Sequence, residues 1–216
     1  MKLMKKLMTD NYNNIVKSLI EIGKLMGVKN YTPGYSGNIS ARYGNNVIIT
    51  TSGSSNGYLT EDDFVEIDFS GSAINSEKKP SSEKLLHIEF YKQRDDINYI
   101  IHVHPAGLSA FASSGKDLLE PVMAENVYYF GGIPLAEYGK PSSMELVNNT
   151  AKYFKDYDAV LMANHGFIIG SKTLEDAYQK LEIAEEYAKT VIYSNIIGGV
   201  KPLTETQANE VLAMRG

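Results

Sequence analysis

Residues 97–105 read INYIIHVHP, an apolar run that ends with two histidines one residue apart. The run is rich in β-branched residues, which predicts a buried strand, and Pro105 suits the first turn of a short helix after it. Side chains alternate between the two faces of a strand, so His102 and His104 project to one side. The chain has four histidines in all. Two of them on one face of one strand indicate a shared chemical role.

The segments around this strand mix strands and helices without strict alternation. Further strands are expected at 46–51, 63–69 and in two short apolar runs of 158–170, whereas 31–40 is expected to be a loop. Helical spacing and start signals predict helices at 15–26, 81–93, 106–115, 142–156, 173–197 and from 204 onwards. The pattern favours a single domain, residues 1–216, with a largely antiparallel sheet covered by helices.

Polar residues mark the expected helix starts. Ser81 or Ser82 is expected to be an N-cap, with Glu83 in the first turn that follows. The other expected N-caps are Ser142, with Glu145 at the capping-box position, Thr173, and Thr204, with Gln207 at that position.

Composition narrows the classes of function. The chain has a net charge of −5 and no cysteine, which argues against nucleic-acid binding and excludes disulfides and thiolate metal sites. No stretch approaches the roughly 20 apolar residues that span a bilayer, and the lysine-rich start lacks the apolar core of a signal peptide. We therefore expect a cytoplasmic protein that binds neither nucleic acid nor membranes.

The paired histidines suit a borderline cation such as zinc. Two imidazoles on one strand face can clamp a metal ion, and a third ligand would leave one position open for water or substrate. His165 is the candidate for that third ligand, because it interrupts an apolar strand beside a glycine. His87 lies inside the helix expected at 81–93 and has no such placement. An isolated H-x-H pair is more often two unrelated, hydrogen-bonded histidines than a metal site.

Three polar segments, two of which contain glycine, predict an anion site. They read SGNIS (36–40), TSG (51–53) and PSSE (80–83). Glycine lets backbone N–H groups approach a ligand closely, and a helix N-terminus carries partial positive charge, so together they could cradle a phosphate. Each segment alone is more often a loop or a cap. Glu83 is either a favourable first-turn carboxylate or, if it points at a metal, a ligand or proton-transferring base.

With these residues assembled, the chain resembles the class II aldolase/adducin family, and most closely its fuculose-1-phosphate aldolase branch. The matching segments, in chain order, are GYSGNISARY (34–43), IITTSG (48–53), KPSSE (79–83), HVHP (102–105) and ANHGFIIG (163–170). LEDAYQKLEIAEEYAK (174–189) resembles the long helix that follows in the family. The resemblance implies a three-layer α/β fold with a mainly antiparallel central sheet between helices, and a homotetramer with active sites at subunit boundaries.

The resemblance also implies roles for the candidate residues. His102, His104 and His165 would hold one Zn²⁺ per subunit, or another divalent metal, with Glu83 as a further ligand and the general acid/base. The substrate phosphate would be bound by Gly37, Asn38, Ser52, Gly53, Ser81 and Ser82. The implied reaction is reversible cleavage of a ketose 1-phosphate, similar to fuculose 1-phosphate, to dihydroxyacetone phosphate and an aldehyde. The metal would stabilise the enediolate, and no lysine is needed.

Departures from the fuculose-phosphate pattern leave other reactions open. Glu125 stands where those enzymes place a tyrosine from the neighbouring subunit, which makes Glu125 a candidate second acid/base, although Tyr128 and Tyr129 are close. Tyr35 replaces a small hydroxyl residue in the first phosphate loop. Alternatives on the same scaffold are a sugar-phosphate 4-epimerase, which favours aspartate in place of Glu83, a dehydratase or decarboxylase, and a non-catalytic adducin-like module. The retained histidines argue against the module.

Overall fold

The computed structural model describes residues 2–215. Within them the α-helices are α1 (Lys2–Val28), α2 (Lys84–Gln93), α3 (Ala106–Ser114), α4 (Ala124–Phe130), α5 (Met144–Ala151), α6 (Leu174–Ile197) and α7 (Glu205–Leu212). The strands are β1 (Asn38–Tyr43), β2 (Asn46–Thr50), β3 (Phe64–Asp68), β4 (Tyr99–Val103), β5 (Leu135–Ala136), β6 (Ala159–Met162) and β7 (Gly166–Ser171). Short 3₁₀ helices occupy Asn56–Tyr58, Glu61–Asp63 and Ala213–Arg215.

The strands of this region form one seven-stranded sheet in the order β3-β2-β1-β4-β7-β6-β5. Every neighbouring pair is antiparallel except β5 and β6, which are parallel. The mainly antiparallel sheet expected from the sequence is therefore confirmed. The strand that carries His102 lies at the centre, where Asn38 of β1 and Ile168 of β7 are its direct neighbours.

Helices cover both faces of the sheet, which makes the fold a three-layer α/β/α arrangement. Ile101 and Val103 point to one face and pack in the core that includes residues of α1, α3 and α6. Ile100 points to the opposite face and packs in the core with α2 and α5. This alternation along β4 places His102 on the α2 and α5 side. Each fully buried Leu, Ile or Phe side chain stabilises the fold by about 1.5–3 kcal/mol.

Several expected helix boundaries are confirmed, although α1 begins at Lys2, before the expected residue 15, and α5 ends at Ala151, before the expected residue 156. Thr173 caps α6 by accepting a hydrogen bond from the Asp176 N–H, and Thr204 forms a capping box with Gln207 at the start of α7. Gly115 follows α3 in the left-handed conformation, with φ of 69°. None of the described helices has both the length and the apolarity to cross a membrane.

Two predicted N-caps are wrong. The helix expected from Ser81 begins at Lys84, with Glu83 at the N-cap position. The Ser81 N–H instead donates to Thr50 O at 2.9 Å, so sheet pairing keeps this segment extended. In α5 the cap is Ser143, whose hydroxyl accepts from the Leu146 N–H. Ser142 has φ of 65°, outside the extended conformation of an N-cap residue.

Two further elements were not expected from the sequence. The segment 31–40 was expected to be a loop, but its last three residues begin β1, because they pair with β4 through Asn38 and His102. The segment around Glu125, for which no helix was predicted, forms α4. Both changes concern the site, since β1 brings Asn38 to the centre of the sheet and α4 fixes the place of Glu125.

Candidate metal centre

The three candidate ligand histidines reach one point from two adjacent strands. His102 lies in β4, His104 just beyond the end of β4, and His165 in the turn between β6 and β7. One ligand atom from each of them lies within 4.8 Å of the others. The two Nε2 atoms of His102 and His104 are 2.9 Å apart. The structure therefore brings these three histidines together.

Backbone contacts hold the loops that carry these rings. The His104 N–H donates to Tyr31 O at 3.0 Å, and the His165 N–H donates to Met162 O at 3.0 Å. A Cβ at Gly166 would lie 2.4 Å from His104 Cδ2, so only glycine fits beside the ring. The His-Gly pair in the sequence thus has a packing cause.

Glu83 completes the cluster from the start of α2. Its Oε2 lies 3.1 Å from His102 Nε2, and its Oε1 lies 3.2 Å from His165 Nε2. The residue is 8% exposed. Because Glu83 is the N-cap residue of α2, its carboxylate turns toward the end of β4 instead of projecting from the helix surface.

The tautomer of His102 follows from its hydrogen bond to the backbone. Phe167 O lies 2.9 Å from His102 Nδ1, so Nδ1 carries the proton and donates it. The Nε2 lone pair then faces both the Glu83 carboxylate and His104 Nε2. Such a hydrogen bond orients a metal-bound imidazole from behind. His102 Nε2, His104 Nε2 and the Glu83 carboxylate each offer an electron pair and lie close together, so a positive charge between them would stabilise the cluster.

Burial and charge shift the pKa of each member of the cluster. Burial would raise the pKa of Glu83, but the neighbouring imidazoles and an amide hydrogen bond outweigh it and lower that pKa below its usual range. Burial disfavours charged His102, yet the Glu83 carboxylate outweighs burial and raises the pKa of His102. Burial and the charge of His102 lower the pKa of His104 to about 3 and that of His165 to about 4. Neutral imidazole is the form that binds metal.

The donor set fits a divalent metal such as zinc. Glu83 Oε1 and His165 Nδ1 are buried and have no hydrogen-bond partner. Glu83 Oε1 lies 3.2 Å from His165 Nε2 without the geometry of a hydrogen bond. Three imidazoles and one carboxylate form a nitrogen and oxygen set that zinc accepts. An ion held between them would satisfy the converging lone pairs.

The predicted anion-binding residues line the same cavity as the histidines. The cavity has a volume of about 190 Å³. Its lining comprises Tyr35, Ser36, Gly37, Asn38, Thr51, Ser52, Gly53, Ser54, Ser81, Ser82, Glu83, His102, His104, Pro141, Ser142 and His165. The three loops predicted to cradle a phosphate therefore meet beside the metal cluster. At Gly37, with φ of 75°, a Cβ would lie 2.4 Å from His102 O, so this approach requires glycine.

Asn38 and Glu125 differ from the other candidates in their placement. Both polar atoms of the Asn38 side chain are engaged inside the protein, since Nδ2 donates to Glu83 Oε2 at 3.1 Å and Oδ1 faces His87. Its amide is thus part of the support of Glu83. Glu125 is exposed in the first turn of α4 and lines a different cavity, with Glu182 and Glu186. One chain alone does not bring Glu125 to the histidines.

Sequence reasoning missed Ser54, one residue beyond the predicted TSG segment, and two residues from a distant part of the chain, Pro141 and Ser142. The segment of Pro141 and Ser142 precedes α5, far from the motifs in the chain, and was read only as a helix start. Tyr35 also lines the cavity and is 80% exposed.

Comparison with known proteins agrees with this site. The chain belongs to the class II aldolase and adducin family, because the pattern of the Class II Aldolase and Adducin N-terminal domain matches residues 17–192. An L-fuculose phosphate aldolase of Methanocaldococcus jannaschii is 36% identical over 181 residues, which cover 84% of this chain and 97% of that protein. The family membership and the intact histidine cluster indicate an enzyme.

Two further similar proteins are named for two different reactions. A 3-oxo-tetronate 4-phosphate decarboxylase of Haemophilus influenzae is 28% identical over 199 residues, with 89% of this chain and 93% of that protein covered. A solved structure of an L-fuculose 1-phosphate aldolase superimposes with a TM-score of 0.86 at 29% identity, and covers 93% of this chain and 95% of that one. The chain is thus similar both to a protein named as an aldolase and to one named as a decarboxylase.

Proposed function

We propose that the protein is a zinc-dependent class II aldolase that reversibly cleaves a ketose 1-phosphate, similar to fuculose 1-phosphate, to dihydroxyacetone phosphate and an aldehyde. The observation that carries the proposal is the meeting of His102, His104, His165 and Glu83 in a cavity walled by hydroxyl-bearing and glycine-containing loops. The relatives named as fuculose phosphate aldolases support this substrate class.

The loops would bind and orient the substrate phosphate. Hydroxyl groups of Ser52, Ser81 and Ser82, with the N–H groups beside Gly37 and Gly53, line the cavity next to the metal cluster. Backbone N–H groups and hydroxyls are suitable donors for phosphate oxygens. A phosphate held there directs the adjacent carbons of the sugar toward the histidines. This orientation supplies part of the rate enhancement, because the reacting groups are already held in position and do not have to find one another by diffusion.

Glu83 would move the proton at the carbon beside the carbonyl. In the cleavage direction its carboxylic acid protonates C3 of the three-carbon product, and in the condensation direction its carboxylate removes that proton. A divalent ion bound by the histidines would supply Lewis-acid stabilisation of the negative charge on the substrate oxygens. The hydroxyl at C4 loses the other proton as it becomes the aldehyde. We propose that Glu125 of a neighbouring copy accepts this second proton in the cleavage direction.

The assignment of Glu125 requires an oligomer. Because Glu125 is exposed and lies in a different cavity from the histidines, it can act only if another copy presents it to the site. This agrees with the homotetramer that the family resemblance implies. The tetramer and the cytoplasmic location stay predictions.

The test of the reaction uses zinc-loaded protein and a panel of ketose 1-phosphates that includes L-fuculose 1-phosphate. Released dihydroxyacetone phosphate is measured by coupled reduction, and His104→Ala protein treated with zinc in the same way is the control. We expect turnover with at least one ketose and none with the control. Absence of dihydroxyacetone phosphate from every ketose would exclude the aldolase.

Decarboxylation is the second candidate, supported by the Haemophilus influenzae relative. It would use the same metal-stabilised negative charge, but the bond broken would release CO₂ instead of an aldehyde. Adding 3-oxo-tetronate 4-phosphate to the panel and measuring CO₂ separates the two. Product analysis by NMR also detects epimerisation, which conserves mass, and dehydration, which releases water.

Mixed oligomers test whether Glu125 acts between copies. Glu83→Gln and Glu125→Gln variants are each expected to have low activity. If a site combines Glu83 of one copy with Glu125 of another, unfolding and refolding the two variants together creates some sites with both carboxylates. Activity above the sum of the separate variants is expected. No gain in verified hybrids would show that Glu125 does not act across the boundary.

A further inference from the structure

A line of buried polar side chains runs away from the cavity behind Glu83. Asn38 and Ser40 lie on one face of β1, and His87 and Tyr91 lie one turn apart on α2. Ser40, His87 and Tyr91 are 0% exposed, and Asn38 is 6% exposed. Ser40, His87 and Tyr91 do not line the cavity, whereas Asn38 does, and each group is hydrogen-bonded to the next.

The distances define a continuous chain of hydrogen bonds. Tyr91 Oη lies 2.8 Å from Ser40 Oγ, which lies 2.7 Å from His87 Nδ1. His87 Nε2 lies 2.5 Å from Asn38 Oδ1, and Asn38 Nδ2 donates to Glu83 Oε2 at 3.1 Å. The chain therefore ends on the carboxylate that faces the metal cluster.

The carboxylate end fixes the direction of every proton in this chain. An ionised carboxylate only accepts, so the Asn38 amide must turn its Nδ2 to Glu83 and its Oδ1 to His87. His87 Nε2 must then carry a proton to donate, which leaves Nδ1 of the neutral ring as an acceptor. The Ser40 hydroxyl donates to Nδ1 and accepts from the Tyr91 hydroxyl. One arrangement of the protons fits all four hydrogen bonds of the chain.

We propose that His87 is a positioning residue, which holds the Asn38 amide in the orientation that donates to Glu83 and so aims the carboxylate at the histidine cluster. The inference rests on the proposed role of Glu83 as metal ligand and acid/base. If His87 is absent, the Asn38 amide can turn over, and its oxygen then faces the carboxylate and repels it. Glu83 also loses an orienting donor. Support of this kind behind a metal ligand affects metal affinity and activity about 10–100-fold.

A purely structural role for His87 makes different predictions. In that case replacing His87 would lower stability without changing the metal affinity or turnover of the molecules that fold. The positioning role predicts weaker zinc binding and a lower kcat in the molecules that fold. It also predicts that a side chain with an N–H at the same reach restores function.

The first measurement is the tautomer of His87 in the zinc-loaded protein. Protein with ¹⁵N-labelled histidine gives separate imidazole signals by NMR, assigned with the His87→Gln variant. We expect His87 to be neutral with its proton on Nε2. A proton on Nδ1 would overturn the inference, because Asn38 could not then accept from His87 in the orientation that donates to Glu83.

The second measurement compares His87→Leu with His87→Gln, which keeps an N–H near the position of Nε2. For zinc, measured by competition with a chelator, His87→Leu is expected to bind about tenfold more weakly and His87→Gln within about threefold of wild type. For cleavage of L-fuculose 1-phosphate, kcat is expected to follow the same order. Wild-type zinc affinity and kcat in folded His87→Leu would refute the positioning role.

Two outcomes keep the inference separate from the proposed reaction. If no ketose phosphate is cleaved, the tautomer and the zinc competition still test the support of Glu83. If His87→Leu fails to fold, Asn38→Leu provides the second variant, since it removes the amide donor to Glu83 and should weaken zinc binding by a similar factor. Unchanged zinc affinity in Asn38→Leu would also refute the inference.

Discussion

Two buried glutamates lie on opposite sides of the histidine strand and differ in how their charge is satisfied. Glu185 of α6 is 1% exposed and accepts from the N–H groups of Gly107 and Leu108, both at 2.9 Å, at the start of α3. Lys189 adds an ion pair at 3.4 Å. Glu83 is 8% exposed, accepts one hydrogen bond from Asn38, and leaves Oε1 without a hydrogen-bond partner.

The difference separates a structural carboxylate from a functional one. Glu185 caps a helix, and its fixed donors and the positive end of the helix stabilise the charge. Glu83 faces imidazole nitrogens whose lone pairs point back at it, an arrangement that is stable only with a cation or proton between them. A carboxylate that the fold leaves incompletely satisfied is available for metal binding and proton transfer. The comparison predicts opposite consequences when each charge is removed.

The largest effect is expected from removing one of the rings that face Glu83. His104→Ala should lose stoichiometric zinc and all measurable turnover, because it removes one of the four converging ligand groups and leaves the coordination shell open where its ring stood. Metal analysis of purified protein measures the first effect and the aldolase assay the second. Circular dichroism should show a folded protein. Stoichiometric zinc in a folded His104→Ala protein would remove His104 from the ligand set.

Removing the charge of Glu83 is expected to lower activity more than stability. Glu83→Gln should reduce kcat about 10²–10⁴-fold, the usual contribution of a general acid/base, while some metal stays bound by the histidines. Steady-state kinetics on zinc-saturated protein give the change. Normal activity in Glu83→Gln would show that the catalytic assignment is wrong. Its free energy of unfolding, measured without metal, should fall less than that of Glu185→Gln, because Glu83 accepts one hydrogen bond, from Asn38, whereas Glu185 accepts two and adds an ion pair.

The sequence was sufficient for the fold where local patterns and long-range packing agree. The β-branched runs around His102 and the spacing of α6 predicted elements that the structure confirms. The start of α2 was misplaced because Ser81 pairs with Thr50 across a gap of 31 positions in the chain. A bond of that kind depends on the neighbouring strand. Local cap preferences therefore could not reveal it.

The parts of the site that come from short sequence motifs could be predicted. Histidine spacing and the glycine-containing loops identified the residues that meet in the cavity. The wall formed by Pro141 and Ser142 was not predictable, since it arises from the path of the chain before α5. The role of His87 was also missed. That role depends on the hydrogen bonds of His87 to Asn38 and Ser40. These two residues lie beside α2 because of the position of β1 in the folded sheet.

The opposite result is expected for the structural carboxylate. Glu185→Gln should lower the free energy of unfolding by about 3 kcal/mol, since one amide end faces backbone N–H donors that it cannot accept from. Urea unfolding measures the loss. Turnover per folded molecule should stay within about threefold of wild type, because Glu185 does not line the cavity. A large loss of kcat with unchanged stability would contradict the distinction drawn between the two glutamates.

The smallest expected effect concerns pH and the neutral histidine behind Glu83. Burial, and next the charge of His102, lower the pKa of His87 to about 3, whereas an unfolded histidine titrates near 6.5. At a pH between these two pKa values, the unfolded state binds a proton on His87 that the folded state does not bind. The free energy of unfolding therefore falls as pH falls. From pH 7 to pH 5 this histidine should remove about 2 kcal/mol. Glutamine cannot bind that proton, so metal-free wild type should lose more stability than His87→Gln in urea unfolding at the two pH values. Equal losses would show that His87 is protonated in the folded protein, and the proton directions inferred for Asn38 and Ser40 would then be wrong.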